Sequence, residues 1–304
     1  YAFPLWQQVM QLQYWRSMLV DAGLSAGDIP VDWDGYWDFW CAPVQPAYRQ
    51  RTGNRAYGLG LPMGVDASLS AIAFLTFLDA YNVRLVDDAG RLRVDDPAVR
   101  AGLIQAMTRY TQPYVRGCAP PSSRHWHDAD SAVAFQNRTT VLVPTMTLAS
   151  APESLDDKDQ AAPIATTRFP RKPDAGTLAY RASVKTGLVF KQARNKQDAK
   201  KFVSFLLDDA QLTPYVEAAR GAWFPVMQAA QQRPFWQADP ARTVVYRQFM
   251  AGTTAFEFTR NHRFTQLNHE NVWARAMQRI VGDAVPVDQA VDEMIQRIKA
   301  VAQR

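Results

Sequence analysis

The sequence contains no run of about 18 consecutive apolar residues, so it offers no segment able to cross a bilayer as a helix. It has only two cysteines, Cys41 and Cys118, and no CxxC spacing. That leaves two readings open, one disulfide in an oxidising compartment or two buried thiols, and excludes a cysteine-rich metal site. GxGxxG and P-loop patterns are both missing, which removes the familiar signatures of dinucleotide enzymes and NTPases. Histidine is scarce, at four residues, and the one HxH pair, His125 and His127 in "HWHDAD", has no third histidine nearby. A metal-dependent or glycan-active hydrolase would have to use it, and zinc normally asks for three or four ligands. The paired carboxylates Asp87-Asp88 and Asp95-Asp96 fall at a hairpin and a helix start, where a glycosidase pair does not belong. The net charge of +5 is spread thinly: the densest basic stretches, 167–174 and 191–201, are interrupted by Asp and Gln, so no nucleic-acid surface is expected. The opening "YAFPLWQQVMQLQYW" has neither a basic n-region nor a small-residue cleavage site, which reads as a processed, truncated or cytosolic chain.

What is present is an ordinary globular composition, 47% hydrophobic and 21% charged over 304 residues, long enough for two lobes or one large domain. Nine Trp and eleven Tyr supply flat, amphipathic surface, mostly for the core but suited in part to ligand stacking.

Single strands alternate with helices along the chain, the pattern of an α/β protein. Tyr1 to Gln8 reads as a strand. Met10, Tyr14, Met18 and Leu19 at helical spacing predict a helix ending near Ala22-Gly23. Asp32 is the expected N-cap of a helix whose Trp33, Tyr36, Trp37 and Trp40 form a core stripe. A strand is expected at 57–61, a helix at 69–82, a hairpin turning at Asp88-Ala89-Gly90, and a helix started by Asp95 and Pro97. A short helix in "DADSAVAFQNR" leads into the apolar strand 140–143, which opens directly onto Thr145, Met146 and Thr147. Carboxyl ends of strands in open α/β sheets are where ligands sit. Beyond a polar loop, "AAPIATTRFP" and "ASVKTGLVFKQ" read as strands, "NKQDAKKFVSFLLDD" and "DAQLTPYVEAA" as helices, and the remainder is helical.

Taken in order, "YAFPLWQQ…YW", "DIPVDWDGYW", "AVAFQNRTTVLVPT", "APIATTRFPRKP…VKTGLVFKQARNKQDAKKFVSFLLDD", "RGAWFPV" and "VDQAVDEMIQRI" resemble the family 1 extracellular solute-binding proteins of ABC importers, in the carbohydrate-binding, maltose-binding-protein-like group. The resemblance runs over essentially the whole chain. It implies an α/β, periplasmic-binding-protein type II fold, a two-lobed Venus-flytrap that closes on its ligand by hinge motion. Tyr1 matches the strand where such chains first pass between lobes, which implies a nearly complete C-lobe and a partial N-lobe. The implied limits are 1–183 and 242–304 for the C-lobe and 184–241 for an N-lobe remnant. The implied function is a non-enzymatic, cofactor-free periplasmic monomer that delivers a sugar or polyol to permease subunits, touching the membrane only through them. A non-binding remnant or interaction module is the alternative. A periplasmic address favours a Cys41–Cys118 bridge between two helices.

The site residues follow from the same alignment. Trp6, Gln7 and Gln8 match the cleft-facing segment after the opening strand, and Thr145, Met146 and Thr147 match the cleft loop after strand 140–143. Lys185 falls at the second hinge crossing, and Arg220 and Trp223 at the cleft rim, where a helix end with Gly221 at C′ is the structural alternative. Asp66 and Ser68 lie in the loop after strand 57–61, as ligand contacts or as caps of the next helix. Trp273 resembles a sugar-stacking tryptophan, with Asn268 and Glu270 before it as contacts or caps.

Overall fold

The computed structural model describes residues 2–148 and 164–302. Its strands in chain order are β1 (Ala2–Gln8), β2 (Gln11–Trp15), β3 (Tyr57–Leu59), β4 (Thr140–Thr145), β5 (Ile164–Thr167), β6 (Tyr180–Arg181), β7 (Ser183–Leu188), β8 (Phe224–Pro225) and β9 (Thr253–Thr254). By contact density the chain divides into two compact units. The first is Tyr1–Gln11, Met146–Arg168 and Tyr180–Thr254; the second is Leu12–Thr145, Phe169–Ala179 and Ala255–Arg304. These limits fall elsewhere than the lobe limits expected at 183/184 and 241/242. The opening strand goes with residues 180–254 because its backbone is hydrogen-bonded there. The polar loop expected before β5, and Ala161, Ala162 and Pro163 of the strand expected there, lie outside the described residues.

In the first unit β1 is the middle strand, antiparallel to β7 on one side and β8 on the other. Trp6 lies opposite both Lys185 and Pro225, and Gln7 opposite Val184 and Phe224. Side chains alternate across a pleat, so Phe224 and Trp6 take opposite faces. Phe224 faces the core, stacked on Phe249 at 4.3 Å and packed 4.7 Å from Trp236. The helices Lys196–Leu207, Asp209–Ala218 and Pro240–Met250 complete the unit. Asp208 caps the second through the Ala210 amide (3.0 Å), and Asp239 the third through Arg242 (2.9 Å).

In the second unit β3 runs parallel to β4, and β4 lies between β3 and β2. A strand flanked on both edges and covered on both faces needs no polar alternation. Val141, Leu142 and Val143 are accordingly all buried. Asp32 caps the helix Trp33–Phe39 by accepting from the Gly35 amide at 2.8 Å. The expected stripe is core: Trp33, Tyr36, Trp37 and Trp40 are buried, with Trp33 and Trp37 packed on Phe77 at 5.0 and 4.8 Å. Cys41 and Cys118 are joined in a disulfide. It ties the π-helical turn Trp40–Val44 to the segment just after the helix Pro97–Val115.

Three local expectations are corrected. The helix expected from Met10 is a strand over Gln11–Trp15, and only Arg16–Asp21 is helical. The alternation Gln-Leu-Gln-Tyr is the period-two pattern of a strand, and it lies within the i, i+4, i+8 apolar spacing of Met10, Tyr14 and Met18, so the same residues fit both periods. Asp96, not Asp95, caps the helix Pro97–Val115, accepting from Ala98 at 2.9 Å. The helix Ser68–Ala80 is capped by neither Asp66 nor Ser68: its N-cap is Ala67, and Asp128 of "HWHDAD" accepts from the Leu69 amide at 2.9 Å and the Ser68 hydroxyl at 2.8 Å. That segment's polarity is thus spent on capping. Asp130 likewise accepts from the His127 amide at 2.7 Å, and no metal-ligating cluster occurs among the described residues.

Candidate functional site

Residues far apart in sequence converge around Ala222 and Trp223 in the first unit. The Gln8 side-chain amide and the Thr147 hydroxyl both donate to the Ala222 carbonyl, each at 3.2 Å. One residue on, the Trp223 ring lies 5.2 Å from that of Trp6 and stacks on Tyr215 at 5.7 Å with 10° between planes. Tyr215 also contacts Trp6 at 6.4 Å and is 47% exposed. The turn that aims Trp223 needs two left-handed residues in succession, Arg220 (φ 52°) and Gly221 (φ 83°). Arg220 is therefore the first left-handed residue after the Ala219 C-cap, and Gly221 follows it. The left-handed backbone favours glycine at 221, and a Cβ there would also sit a tight 3.1 Å from the side chains of Arg242 and Leu148.

This arrangement has the parts that recognition of a polyhydroxylated ring requires. Aromatic faces accept the apolar side of the ring, and a few polar groups sit at its edge. Lys185 faces Trp6 across the β1–β7 pair, on the same side of the sheet, and is exposed. Gln8 keeps its side-chain oxygen as an acceptor, whereas Gln7 points to the opposite face and donates to the Pro225 carbonyl at 3.3 Å. Thr145 ends β4 in the second unit and Met146 begins a segment of the first. The strand end that looked like a ligand-facing loop is thus also where the chain changes unit.

The second group of expected residues has a different character. Trp273 is fully buried, 6.1 Å from Phe74, and its indole nitrogen donates to Asn268 at 3.1 Å. No ring face is left for a ligand, and Asn268 is occupied in orienting the indole. Glu270 accepts two bonds from Arg297 (2.7 and 2.8 Å) and one from Gln266 (2.8 Å). Those bonds, Arg297's first, hold its pKa down to about 2. A carboxylate depressed in this way stabilises the fold fully above about pH 4.5 and loses that contribution as pH falls toward 2. The melting-point gap between the wild type and Glu270→Gln should therefore narrow on acidification from pH 6 to 2; a constant gap would refute the pairing. Asp66 and Ser68 are exposed at the surface of this unit, Ser68 bonded to Asp128 as described.

Two residues escaped the sequence reading. Tyr215 lies in an expected helix between Leu212 and Val216, which are buried, and nothing in its spacing sets it apart from them; only its 47% exposure does. Asn271 is buried at φ 48°, caps the helix Val272–Val281 through Ala274, and donates to the carbonyls of Val65 (2.8 Å) and Ala67 (2.9 Å). It fastens the loop between β3 and the helix Ser68–Ala80. The Gln278 amide assists by donating to Met63 at 2.9 Å and Arg124 at 2.7 Å. A polar residue directly before "VWARA" marked such a cap, but Asn268 and Glu270 competed for the assignment.

The sequence profile described as bacterial extracellular solute-binding protein matches residues 1–244. The chain belongs to that family. Solved solute-binding proteins share its fold. A Thermotoga lettingae ABC transporter solute-binding protein bound with α-D-tagatose superposes with a TM-score of 0.80 at 19% identity, covering 99% of this chain and 72% of the other. Maltose-bound MalE3 of T. maritima gives 0.77 at 18%, with 98% and 72% covered. UgpB of Mycobacterium tuberculosis in complex with glycerophosphocholine gives 0.74 at 17%, with 100% and 71% covered. No curated protein matches at the level of sequence. The family is extracellular and its members are transport components, and no described helix of this solute-binding protein is long and apolar enough to cross a membrane.

Proposed function

We propose that the chain is the substrate-binding component of an ABC importer, taking up a carbohydrate or sugar alcohol in the periplasm and delivering it to the permease as a monomer. The observation that carries this is the aromatic face of Trp6, Tyr215 and Trp223, beside Gln8 and Lys185. Neighbours of the same fold carry tagatose, maltose and laminaribiose, and one carries glycerophosphocholine, so sugars are the commoner ligand among them. Of the residues expected to touch ligand, Trp6, Gln8, Met146, Thr147, Lys185, Arg220 and Trp223 remain candidates within the first unit, with Tyr215 added. The protein needs no nucleophile for this task and no cofactor.

The first unit supports the further reading that it is a partial lobe. Leu188, Phe190, Phe202 and Phe205 are each more than half exposed, and the helix Lys196–Leu207 buries none of its residues. Single exposed apolar residues are ordinary, but a concentration of large ones on one unit marks a surface made to be covered. The same surface favours the second reading, an interaction module with no solute of its own.

A thermal-unfolding screen against sugars, polyols and phosphorylated polyols separates the two. A ligand that binds only the folded state at 100 times its Kd adds about 2.7 kcal/mol, which raises the melting midpoint by several degrees. Trp223→Ala and Trp6→Ala should each abolish the shift of a sugar hit while leaving a cooperative transition. A cooperative transition that no solute moves favours the interaction module.

A further inference from the structure

We propose that a groove in the second unit, remote in sequence from the aromatic face, binds a compact amphiphile carrying one anionic group. The groove has a volume of about 460 Å³ and runs between the helices Val272–Val281 and Val287–Ala302. Its floor is apolar, formed by Val65, Val272, Ala276, Ala290 and Met294. The last four are each at most 4% exposed, so water reaches them only through the groove mouth. A cavity of this size with an apolar floor and a few polar groups at its rim has the dimensions and chemistry of a small-molecule site.

The rim determines the charge of the occupant. Arg279 and Arg297 line it but are committed: Arg297 holds Glu270 in a two-bond pair, and Arg279 spans Glu293 and Asp283 at 2.8 and 2.7 Å. Both oxygens of Glu270 are taken by Arg297, with Gln266 adding a third bond, and Glu293 is taken by Arg279 and Gln289, so neither carboxylate is left unneutralised. Arg275 is the surplus cation. Its Nε donates to the Glu270 carbonyl at 2.8 Å, which fixes the side chain; its charge helps to hold the nearby Glu270 carboxyl low, but among the described residues no carboxylate forms an ion pair with it. The two terminal nitrogens of its guanidinium stay available in the fork geometry that suits a carboxylate or a phosphate. One free, oriented guanidinium above an apolar floor selects a single anionic head on an apolar body, such as a short fatty carboxylate.

The site is also pre-shaped. Val65 is held in place by Asn271 through its carbonyl, so the loop side of the groove does not have to order on binding. The proposal stands independently of the sugar-binding reading.

The test is a calorimetric titration of the whole chain with octanoate, set beside neutral octanamide. Octanoate should bind saturably and octanamide at least tenfold more weakly, because a hydrogen-bonded charge pair contributes more than its neutral counterpart. Arg275→Ala, an exposed position, should weaken octanoate at least tenfold and leave octanamide unchanged. Ala276→Leu, which fills the floor, should abolish both, with the melting midpoint of each variant confirming a folded chain. The proposal is overturned if octanoate does not saturate, if octanamide binds as tightly, or if both variants match the wild type within twofold, which would place the binding on the apolar surface of the first unit.

Discussion

Trp273→Ala should destabilise the protein by about 3–5 kcal/mol, the usual loss for truncating a large buried aromatic, and lower the melting midpoint by roughly 10 °C. The indole is fully buried and packs against Phe74. Removing it leaves a cavity lined by the helices Ser68–Ala80 and Val272–Val281. The change also removes the indole N–H that Asn268 accepts; Asn268 is half-buried, so water can take that place and the cavity dominates the loss. Trp273→Phe keeps most of the packing and loses the hydrogen bond, so a loss of about 1–2 kcal/mol is expected. Chemical denaturation of both variants checks this. Near-wild-type stability for the alanine variant would show that the residue is not core and would return it to the list of ligand contacts.

Breaking the disulfide is the second large effect. The Cys41–Cys118 bridge spans 77 residues, and cross-linking a loop of that length removes enough chain entropy from the unfolded state to be worth about 4.5 kcal/mol at most, with 2–4 typical. The surroundings leave little room to relax. At Gly58 a Cβ would lie 2.2 Å from the Trp40 carbonyl and 2.9 Å from the Cys118 sulfur, so β3 is pressed against the bridge. The Leu59 amide donates to the Cys118 carbonyl at 3.1 Å, joining the same segment to the strand. Denaturation with and without reductant, and of the Cys41→Ser/Cys118→Ser variant, should show the same loss of 2–4 kcal/mol. Superimposable curves would mean that the bridge does not form in solution.

Much of the second unit was legible in the sequence because its signals are local. Asp32 caps as its place before the aromatic stripe predicts, and the stripe is core because its spacing matches one face of a helix. The apolar strand through Val141, Leu142 and Val143 is read from its composition and the turn before it. Gln11 to Trp15 was not legible as a strand, since the i, i+4, i+8 spacing of Met10, Tyr14 and Met18 fits a helix as well as the alternation Gln-Leu-Gln-Tyr fits a strand. The cap of the helix Ser68–Ala80 was not legible either, since Asp128 reaches it from 59 residues away.

The candidate site divides along the same line. Trp6 and Trp223 were singled out separately, by resemblance. Their contact, and the convergence of Gln8 and Thr147 on one carbonyl, follow only from strand pairing and from the left-handed turn at Arg220 and Gly221. In "NHENVWARA" the residue types were suggestive but the roles were not. A tryptophan with a polar neighbour three to five residues away reads equally well as a stacking platform or as a core residue with a bonded indole. Burial decides, and burial is a property of the packed unit.

Calorimetric titration with tagatose, maltose and glycerophosphocholine, repeated in Trp6→Ala and Trp223→Ala, tests whether the aromatic face binds a sugar. At least one sugar should bind saturably, weakened tenfold or more by either variant, with glycerophosphocholine weaker or absent. Saturation by glycerophosphocholine alone, or a sugar affinity that neither tryptophan affects, would contradict sugar binding by that face.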